Sequence, residues 1–337
     1  MLLFSIALIF ITTVALIYGL AKAAPKLRLI AVPSGHRKHL QATPMVGGIA
    51  IYLAILFGLV VIDSSFATII PSLLLMCVVG VLDDRYTLPS WCRLIAQIIA
   101  AYLMIFFSGI QLVDLGYLFT SGDRIHLDAL GSIILTVFAS VGVINAVNMS
   151  DGLDGLAGCL IAIVLLCLLF MGHPAQGLIV ISVSAIAGFL FWNLRIGRKS
   201  AAVFMGDAGS TMLGLLLASL LIEYSQIKSG IFPVTALWLL ALPLIDAVAV
   251  LIIRPLRGSS PFSADRMHYH HQLLDRGWAV NMVLTVSILL QLAFIAIGIF
   301  LLKLRVSEHL QLYLFLVFFF LYLGYLYRSS RKLRTVK

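Results

Sequence analysis

Five aspartates stand at the edges of apolar runs in this chain. Asp83 and Asp84 end one run (Val81-Leu82-Asp83-Asp84-Arg85), Asp151 and Asp154 follow another (Asn148-Met149-Ser150-Asp151-Gly152-Leu153-Asp154-Gly155), and Asp207 precedes a third (Phe204-Met205-Gly206-Asp207-Ala208-Gly209-Ser210). Adjacent carboxylates at a polar–apolar boundary repel each other and resist desolvation. Arg85 is the nearest residue in sequence that could neutralise one of the first pair. Asp151 and Asp154 are three apart and share a face if helical. The glycines around them permit a tight turn and close approach of a ligand to the backbone. Asp207 alone reads equally well as a helix cap or a helix-dipole partner. Brought to one surface, all five would repel unless a cation joined them. Hard oxygen ligands suit Mg²⁺ or Mn²⁺, and Mg²⁺ commonly takes one or two carboxylates plus substrate phosphates. That combination points to phosphoryl chemistry, in which a protein mainly positions groups and neutralises charge.

A second cluster is basic: Arg266 followed by His268-Tyr269-His270-His271. The His-x-His-His spacing is locally compatible with zinc, but no cysteine or further histidine cluster completes such a site on the same side. Imidazoles and a guanidinium that bind a diphosphate explain a basic cluster opposite an acidic one better, and a structural role remains the alternative. His36, Arg37, Lys38 and His39 form a less specific basic run that reads as a solvated or lipid-headgroup-facing segment. The four cysteines, Cys77, Cys92, Cys159 and Cys167, have no CxxC spacing and read as small packing residues.

The elements that must position these side chains are membrane spans. Of 337 residues 62% are hydrophobic and 11% charged, against about 25% charged in soluble domains. Apolar stretches recur along the whole chain, each within the roughly 17 to 25 residues that cross a bilayer as a helix. We place eleven of them, at about 2–21, 45–62, 66–82, 92–110, 129–147, 156–172, 177–194, 209–224, 231–253, 281–302 and 312–327. The first run lacks a basic n-region and a cleavage site and reads as a retained helix. The longest polar stretch, Arg254 to Val280, is too short for an aqueous domain. The expected fold is therefore one all-α, polytopic membrane domain over residues 1–337.

Charge fixes the orientation. With alternating connections, 19 of the 23 lysines and arginines fall on one side, together with the C-terminal tail. The positive-inside rule makes that side cytosolic, with the N-terminus outside and the C-terminus inside. The net charge of +9 then needs no nucleic acid to explain it. The aspartate segments and the histidine loop all fall on the cytosolic side. Pro243 and Asp246 lie inside the ninth span, predicting a kinked helix that carries an intramembrane acid.

Four segments in this order resemble the polyprenyl-phosphate N-acetylhexosamine-1-phosphate transferase superfamily. They are Leu82-Asp83-Asp84-Arg85, the run Asn145 to Gly155, the run Val203 to Ser210, and Ser260-Pro261-Phe262-Ser263-Ala264-Asp265-Arg266-Met267-His268-Tyr269-His270-His271. With Pro44-Met45-Val46-Gly47-Gly48, they extend the resemblance over nearly the whole chain. The histidine pattern is most similar to the branch using UDP-GlcNAc, rather than the one using UDP-MurNAc-pentapeptide. The resemblance implies that GlcNAc-1-phosphate passes from UDP-GlcNAc to undecaprenyl phosphate, giving UMP and the lipid-linked sugar that primes O-antigen or another cell-surface polysaccharide. It implies a multi-pass protein of the bacterial inner membrane whose site faces the cytosol.

The same resemblance implies residue roles. Asp207 is the principal Mg²⁺ ligand, with Asp151 and Asp154. Asp83 is the base that deprotonates the lipid phosphate, and Asp84 beside it holds metal or that phosphate. Asn148, Asp151 and Asp154 position the nucleotide and metal, Phe204 stacks on the uracil, and Asn193 matches an asparagine upstream of Phe-Met-Gly-Asp. His268, His270, His271 and Arg266 hold the diphosphate or sugar. GalNAc, QuiNAc and FucNAc donors fit the same motifs, and a homodimer is compatible with them. The competing class is a proton-coupled secondary transporter using Asp246. Transport would not require carboxylates confined to one surface, and no inverted repeat is visible.

Overall fold

A computed structural model describes residues 2–31, 42–119, 122–228, 230–261 and 265–332 of the chain. The basic run His36–His39, the Phe262–Ala264 part of the last motif and the tail residues Arg334 and Lys337 lie outside the described residues. Within hydrocarbon no water satisfies the backbone, so a crossing segment must close its own hydrogen bonds as helix. The described chain is helical apart from two small antiparallel ribbons, β1 (Ile30–Ala31) with β2 (Thr43–Pro44) and β3 (Asp114–Gly116) with β4 (Ile125–His126). Eight helices are long and apolar enough to cross a membrane. They include the larger parts of α1 (Leu2–Leu27), α3 (Ile70–Tyr86), α4 (Ser90–Ser108), α5 (Ala129–Ser150), α7 (Gln176–Asn193) and α8 (Gly206–Ser225). Two shorter apolar helices, α2 (Gly47–Val61) and α6 (Leu156–Phe170), stand between them. The ninth expected span is broken: α9 (Pro233–Leu239) and α10 (Ala241–Leu256) meet at 87°. The short α11 (Tyr269–Asp275) precedes the last two long helices, α12 (Val280–Lys303) and α13 (Glu308–Lys332). Each sequence-derived apolar run overlaps a helix or, in the ninth case, a bent pair, and eight of these helices, or nine spans with the bent pair, are long and apolar enough to cross.

The chain forms two compact units, one of Met1–Gln111 with Thr136–Leu220, the other of Leu112–Leu135 with Leu221–Lys337. In the first, α1 packs along α7 and α2, and α7 also packs on α2 and α6. The most hydrophobic stretch of α8 is 89% buried, against 17–56% for the other long apolar helices, so α8 is a core element rather than a lipid-facing one. It is reached at close range through glycines. A Cβ at Gly48 would lie 2.1 Å from the Gly209 backbone nitrogen, and one at Gly80 2.3 Å from the Ala208 Cα. Small residues at helix crossings let backbones approach where apolar burial alone gives little association in lipid.

In the second unit the break between α9 and α10 falls at Leu240, before Pro243 rather than at it. Pro243 has no N–H for the Leu239 carbonyl four residues earlier and its ring crowds that carbonyl. The helix therefore breaks just before the proline, and a side chain of α12 takes up the freed groups. Gln291, fully buried, donates to the Leu239 carbonyl at 2.5 Å and accepts the Leu242 N–H at 3.2 Å. One amide side chain therefore satisfies backbone groups near the bend. Trp238, at the end of α9, is enclosed by Phe294, Phe315 and Phe318 with ring centroids 5.5–6.3 Å away. Its indole N–H donates to the Gln311 carbonyl at 3.3 Å.

Candidate active site

The carboxylates of the first unit are placed by helix ends. The α3 helix stops at Thr87, whose left-handed backbone (φ 53°) turns the chain toward α4. Asp83, buried in the last turn of α3, accepts the Leu88 N–H at 2.6 Å and the Arg93 guanidinium at 3.1 Å. The arginine that neutralises the pair is therefore Arg93 on α4, not the adjacent Arg85, whose guanidinium lies over the Tyr86 ring. Asp84 turns to the start of α8 and accepts the N–H groups of Asp207 and Ala208 at 3.0 and 3.3 Å. A carboxylate at that position satisfies amides left free by the helix and meets the positive end of its dipole. Gly206 makes the approach possible. Its φ is +73° and a Cβ there would lie 2.4 Å from Asp84 Oδ2.

Asp207 follows on α8. Its Oδ1 accepts the Asn148 amide at 2.6 Å, and the same amide nitrogen donates to Ser210 Oγ at 2.9 Å. Asp83 also lies against it. At the end of α5, Asp151 keeps part of its surface open while its carboxyl is surrounded by protein. That desolvation, with Asp207, Asp84 and Asp154 nearby, pushes the Asp151 carboxyl well above the usual carboxylate range.

Asp154 and Asn193 serve a different end. Asp154 Oδ2 accepts Arg195 at 2.6 Å and the Ala201 N–H at 3.0 Å. Asn193 accepts the Gly155 N–H at 2.6 Å and donates to the Val203 carbonyl at 2.8 Å. Both tie the connection after α7 to the Asp151–Gly155 turn. The strand-like segment they hold reaches Phe204, whose N–H donates to Pro44 and whose carbonyl accepts Gly47 N–H. The Pro44–Gly48 motif and the Phe204–Asp207 motif are thus one hydrogen-bonded structure, with the partly exposed Phe204 ring at its edge.

Two of the five aspartates hold arginines, and one holds helix amides. Asp151 and Asp207 form no ion pair among the described residues. Asp154 is engaged by Arg195 and the Ala201 N–H, and among the described residues no three His, Cys, Asp or Glu side chains are arranged to hold an ion by themselves. What is present is a pair of oxygen donors in a crowded negative environment. That suits a hard cation completed by phosphate oxygens.

In the second unit the histidine loop is built from α10 outward. Buried Arg254 clamps Asp265 through two hydrogen bonds of 2.9 and 3.1 Å and holds the Pro261 carbonyl at 2.7 Å. Burial opposes it, but the bonds from Arg254 and the Met267 N–H keep the Asp265 carboxyl below its usual range. Arg266 pairs with Asp275 at 2.7 Å across α11. His268 gives Nδ1 to Asp246 at 2.7 Å. His270 is fully buried, and its burial, then the neighbouring His271, pushes its imidazole down to about 3. His271 is pushed down to about 4 by burial and Arg266. Both rings are therefore neutral near pH 7 without a bound anion.

Arg93, Arg195, Ser210 and Arg254 contribute to these arrangements without having been singled out in the sequence. Arg195 had a legible signal, two residues after Asn193; Arg93 had none, because its partner is reached across the Pro89 turn.

Residues 66–225, which contain the acidic cluster, match the family model described as glycosyl transferase family 4. The whole chain is similar to proteins named undecaprenyl-phosphate alpha-N-acetylglucosaminyl 1-phosphate transferase. The relative from Escherichia coli (strain K12) is 36% identical over 336 residues, covering 96% of this chain and 90% of its own. That from Yersinia pestis is 31% identical over 98% of this chain and 92% of its own. That from Haemophilus influenzae is 32% identical over 92% and 90%. With end-to-end likeness at this level and the acidic motifs assembled around the start of α8, the chain is a multi-pass membrane protein that belongs to glycosyl transferase family 4, the polyprenyl-phosphate N-acetylhexosamine-1-phosphate transferases.

Proposed function

We propose that the chain transfers GlcNAc-1-phosphate from UDP-GlcNAc to undecaprenyl phosphate, releasing UMP and priming a cell-surface polysaccharide. The observation that carries this is the cluster of Asp84, Asp151 and Asp207 at the N-terminal end of α8, whose mutual repulsion a cation and its phosphates would relieve. In the reaction an oxygen of the lipid phosphate attacks the sugar-bearing phosphorus, and the bond from that phosphorus to the UMP oxygen breaks. Asp207 and Asp151 would hold Mg²⁺, or Mn²⁺ in its place, which offsets the charge of the approaching phosphates. Asn148 fixes the Asp207 carboxylate, and Asp154 with Asn193 fixes the turn that carries Asp151. Asp83 is assigned to deprotonation of the lipid phosphate, with Arg93 paired to it at 3.1 Å. Phe204 is assigned to the uracil, and His268, His270, His271 and Arg266 to the diphosphate or sugar.

Purified protein given undecaprenyl phosphate and a panel of UDP-sugars tests the reading through UMP release. UDP-GlcNAc should turn over well and UDP-MurNAc-pentapeptide poorly. No metal-dependent UMP release from any UDP-sugar would defeat the assignment and return the transporter reading, and efficient use of the pentapeptide donor would move the chain to the other branch.

The reading also carries a topology. Eight long helices and the bent pair account for nine crossings, and eleven are reached if the two shorter apolar helices also cross, with the N-terminus outside and the C-terminus in the cytosol. Both units then belong to one transferase in the bacterial inner membrane, alone or as a homodimer, working at the cytosolic face. In a background lacking the native cysteines, a cysteine at Ser259 should react with a membrane-impermeant maleimide only from the cytosolic side. One at Asp123 should react only from outside. Both positions are exposed, and labelling of both from one side would overturn the orientation.

A further inference from the structure

Asp246 lies in α10 and is almost completely buried, yet it is surrounded by donors. Its Oδ1 accepts the Tyr269 backbone N–H at 3.0 Å and the Tyr322 hydroxyl from α13. Its Oδ2 faces His268 Nδ1 at 2.7 Å. The two oxygens therefore have different duties. The Tyr269 amide can only donate, so Oδ1 must accept, and that fixes which way the carboxyl group points. Oδ2 carries no proton in a carboxylate, so His268 Nδ1 is the donor in the remaining bond. The imidazole is then held with its proton on Nδ1 and with Nε2 as the only ring nitrogen left for a ligand. His268 itself is 5% exposed and stacks on His270 with ring centroids 5.7 Å apart, so its ring has little freedom to turn.

We infer that Asp246 is the positioning residue of the histidine loop, fixing the tautomer and orientation of His268 so that Nε2 is presented to the diphosphate or sugar of the donor. The inference rests on the reading of His268 as a substrate-binding residue. It assigns the intramembrane acid a role through a second side chain, with Tyr322 and the Tyr269 N–H as the groups that hold the carboxylate in register. A proton-coupling role does not need this set of bonds.

Asp246→Asn is the informative change because it keeps shape while reversing one bond. The Tyr269 N–H claims the amide oxygen, so the Asn NH₂ group must face His268 Nδ1, which can then only accept. The proton moves to Nε2, and the nitrogen offered to the ligand becomes a donor. A comparable substitution in a Ser-His-Asp triad leaves the geometry in place but selects the wrong tautomer. The full-length protein, labelled with ¹⁵N-histidine, reads this directly, with His268→Gln identifying the His268 signals by subtraction. Wild-type protein should show a protonated Nδ1 and, in the neutral ring, an unprotonated Nε2; Asp246→Asn should show the reverse. The opposite tautomer in wild type overturns the proposal whether or not any variant folds.

Turnover supplies the second readout. UMP release should fall by about 10²-fold in Asp246→Asn, the upper end of what removal of a histidine-orienting partner costs at metal sites. In a His268→Gln background the same Asp246→Asn change should cost nothing further, because residues acting as one unit are not additive. Multiplicative losses would show that Asp246 acts independently of His268, which overturns the positioning role alone. Wild-type turnover in His268→Gln would instead remove His268 from the substrate, and the underlying reading of the loop would fail with it.

Discussion

Replacing Asp207 by asparagine should lower UMP release by at least about 10³-fold while the helical circular dichroism and the thermal unfolding midpoint in detergent stay near those of the unaltered protein. The substitution preserves volume and one acceptor oxygen, and the Asn148 amide that now sits 2.6 Å from Asp207 Oδ1 can donate to the new carboxamide oxygen. As a helix-end residue, asparagine is as good as aspartate, and the α8 amides are in any case held by Asp84. Nothing in the local fold therefore depends on the charge. The chemistry does. Loss of a single preorganised electrostatic contact costs about 10² to 10³ in rate, and a carboxylate that anchors a divalent cation supplies at least as much. Partial recovery at raised Mg²⁺ would fit a site that keeps Asp151 and the substrate phosphates as ligands. Near-normal turnover at ordinary Mg²⁺ would take Asp207 out of the site and shift the metal to Asp151 and its neighbours.

The positions of the acidic motifs were legible because apolar run length sets where a membrane helix must end, and Asp83, Asp84, Asp151 and Asp207 lie at or within a turn of those ends. The partners of these residues were not. Asp84 meets the amides of Asp207 and Ala208, 123 and 124 residues later, and that pairing follows from how closely α3 and α8 can cross. Local sequence suggested Arg85 as the counter-charge of the aspartate pair, but helix geometry directs Arg85 over Tyr86 and leaves Asp83 to Arg93. Pro243 announced a bend in the ninth span. The break lies at Leu240, where Pro243 leaves the Leu239 carbonyl without its helical donor, and Gln291, on a helix about fifty residues further on, satisfies backbone groups there. Asp246 was visible as an intramembrane acid, and only the fold brings His268 and Tyr322 to it. Short-range pattern thus locates the chemistry, and the contacts that tune it come from helix crossings that no local pattern encodes.

One such crossing gives the second large effect. Gly80 lies one helical turn before Asp84, and a Cβ placed on it would sit 2.3 Å from the Ala208 Cα, 2.4 Å from the Ala208 nitrogen and 2.6 Å from the Asp207 carbonyl carbon. All three obstacles are backbone atoms, so no rotamer change can clear them. Favourable carbon contacts need about 3.5–4.0 Å, and α3 and α8 must therefore move apart by roughly an ångström in Gly80→Ala. Forcing a methyl into a packed interior costs about 1–3 kcal/mol. The functional cost should be larger, because the displaced backbone carries Asp207 and the displaced helix carries Asp83 and Asp84. A shift of about 1 Å in catalytic groups costs on the order of 10²-fold. Gly80→Ala should accordingly unfold at lower temperature and lose about 10²-fold in UMP release. Gly142, in the middle of α5, has open space where a Cβ would go. Gly142→Ala should keep full activity and gain up to about 1 kcal/mol from helix propensity. Equal behaviour of the two variants would mean that α3 and α8 can separate without moving the carboxylates, and the close crossing would then not be what holds Asp84 against the start of α8.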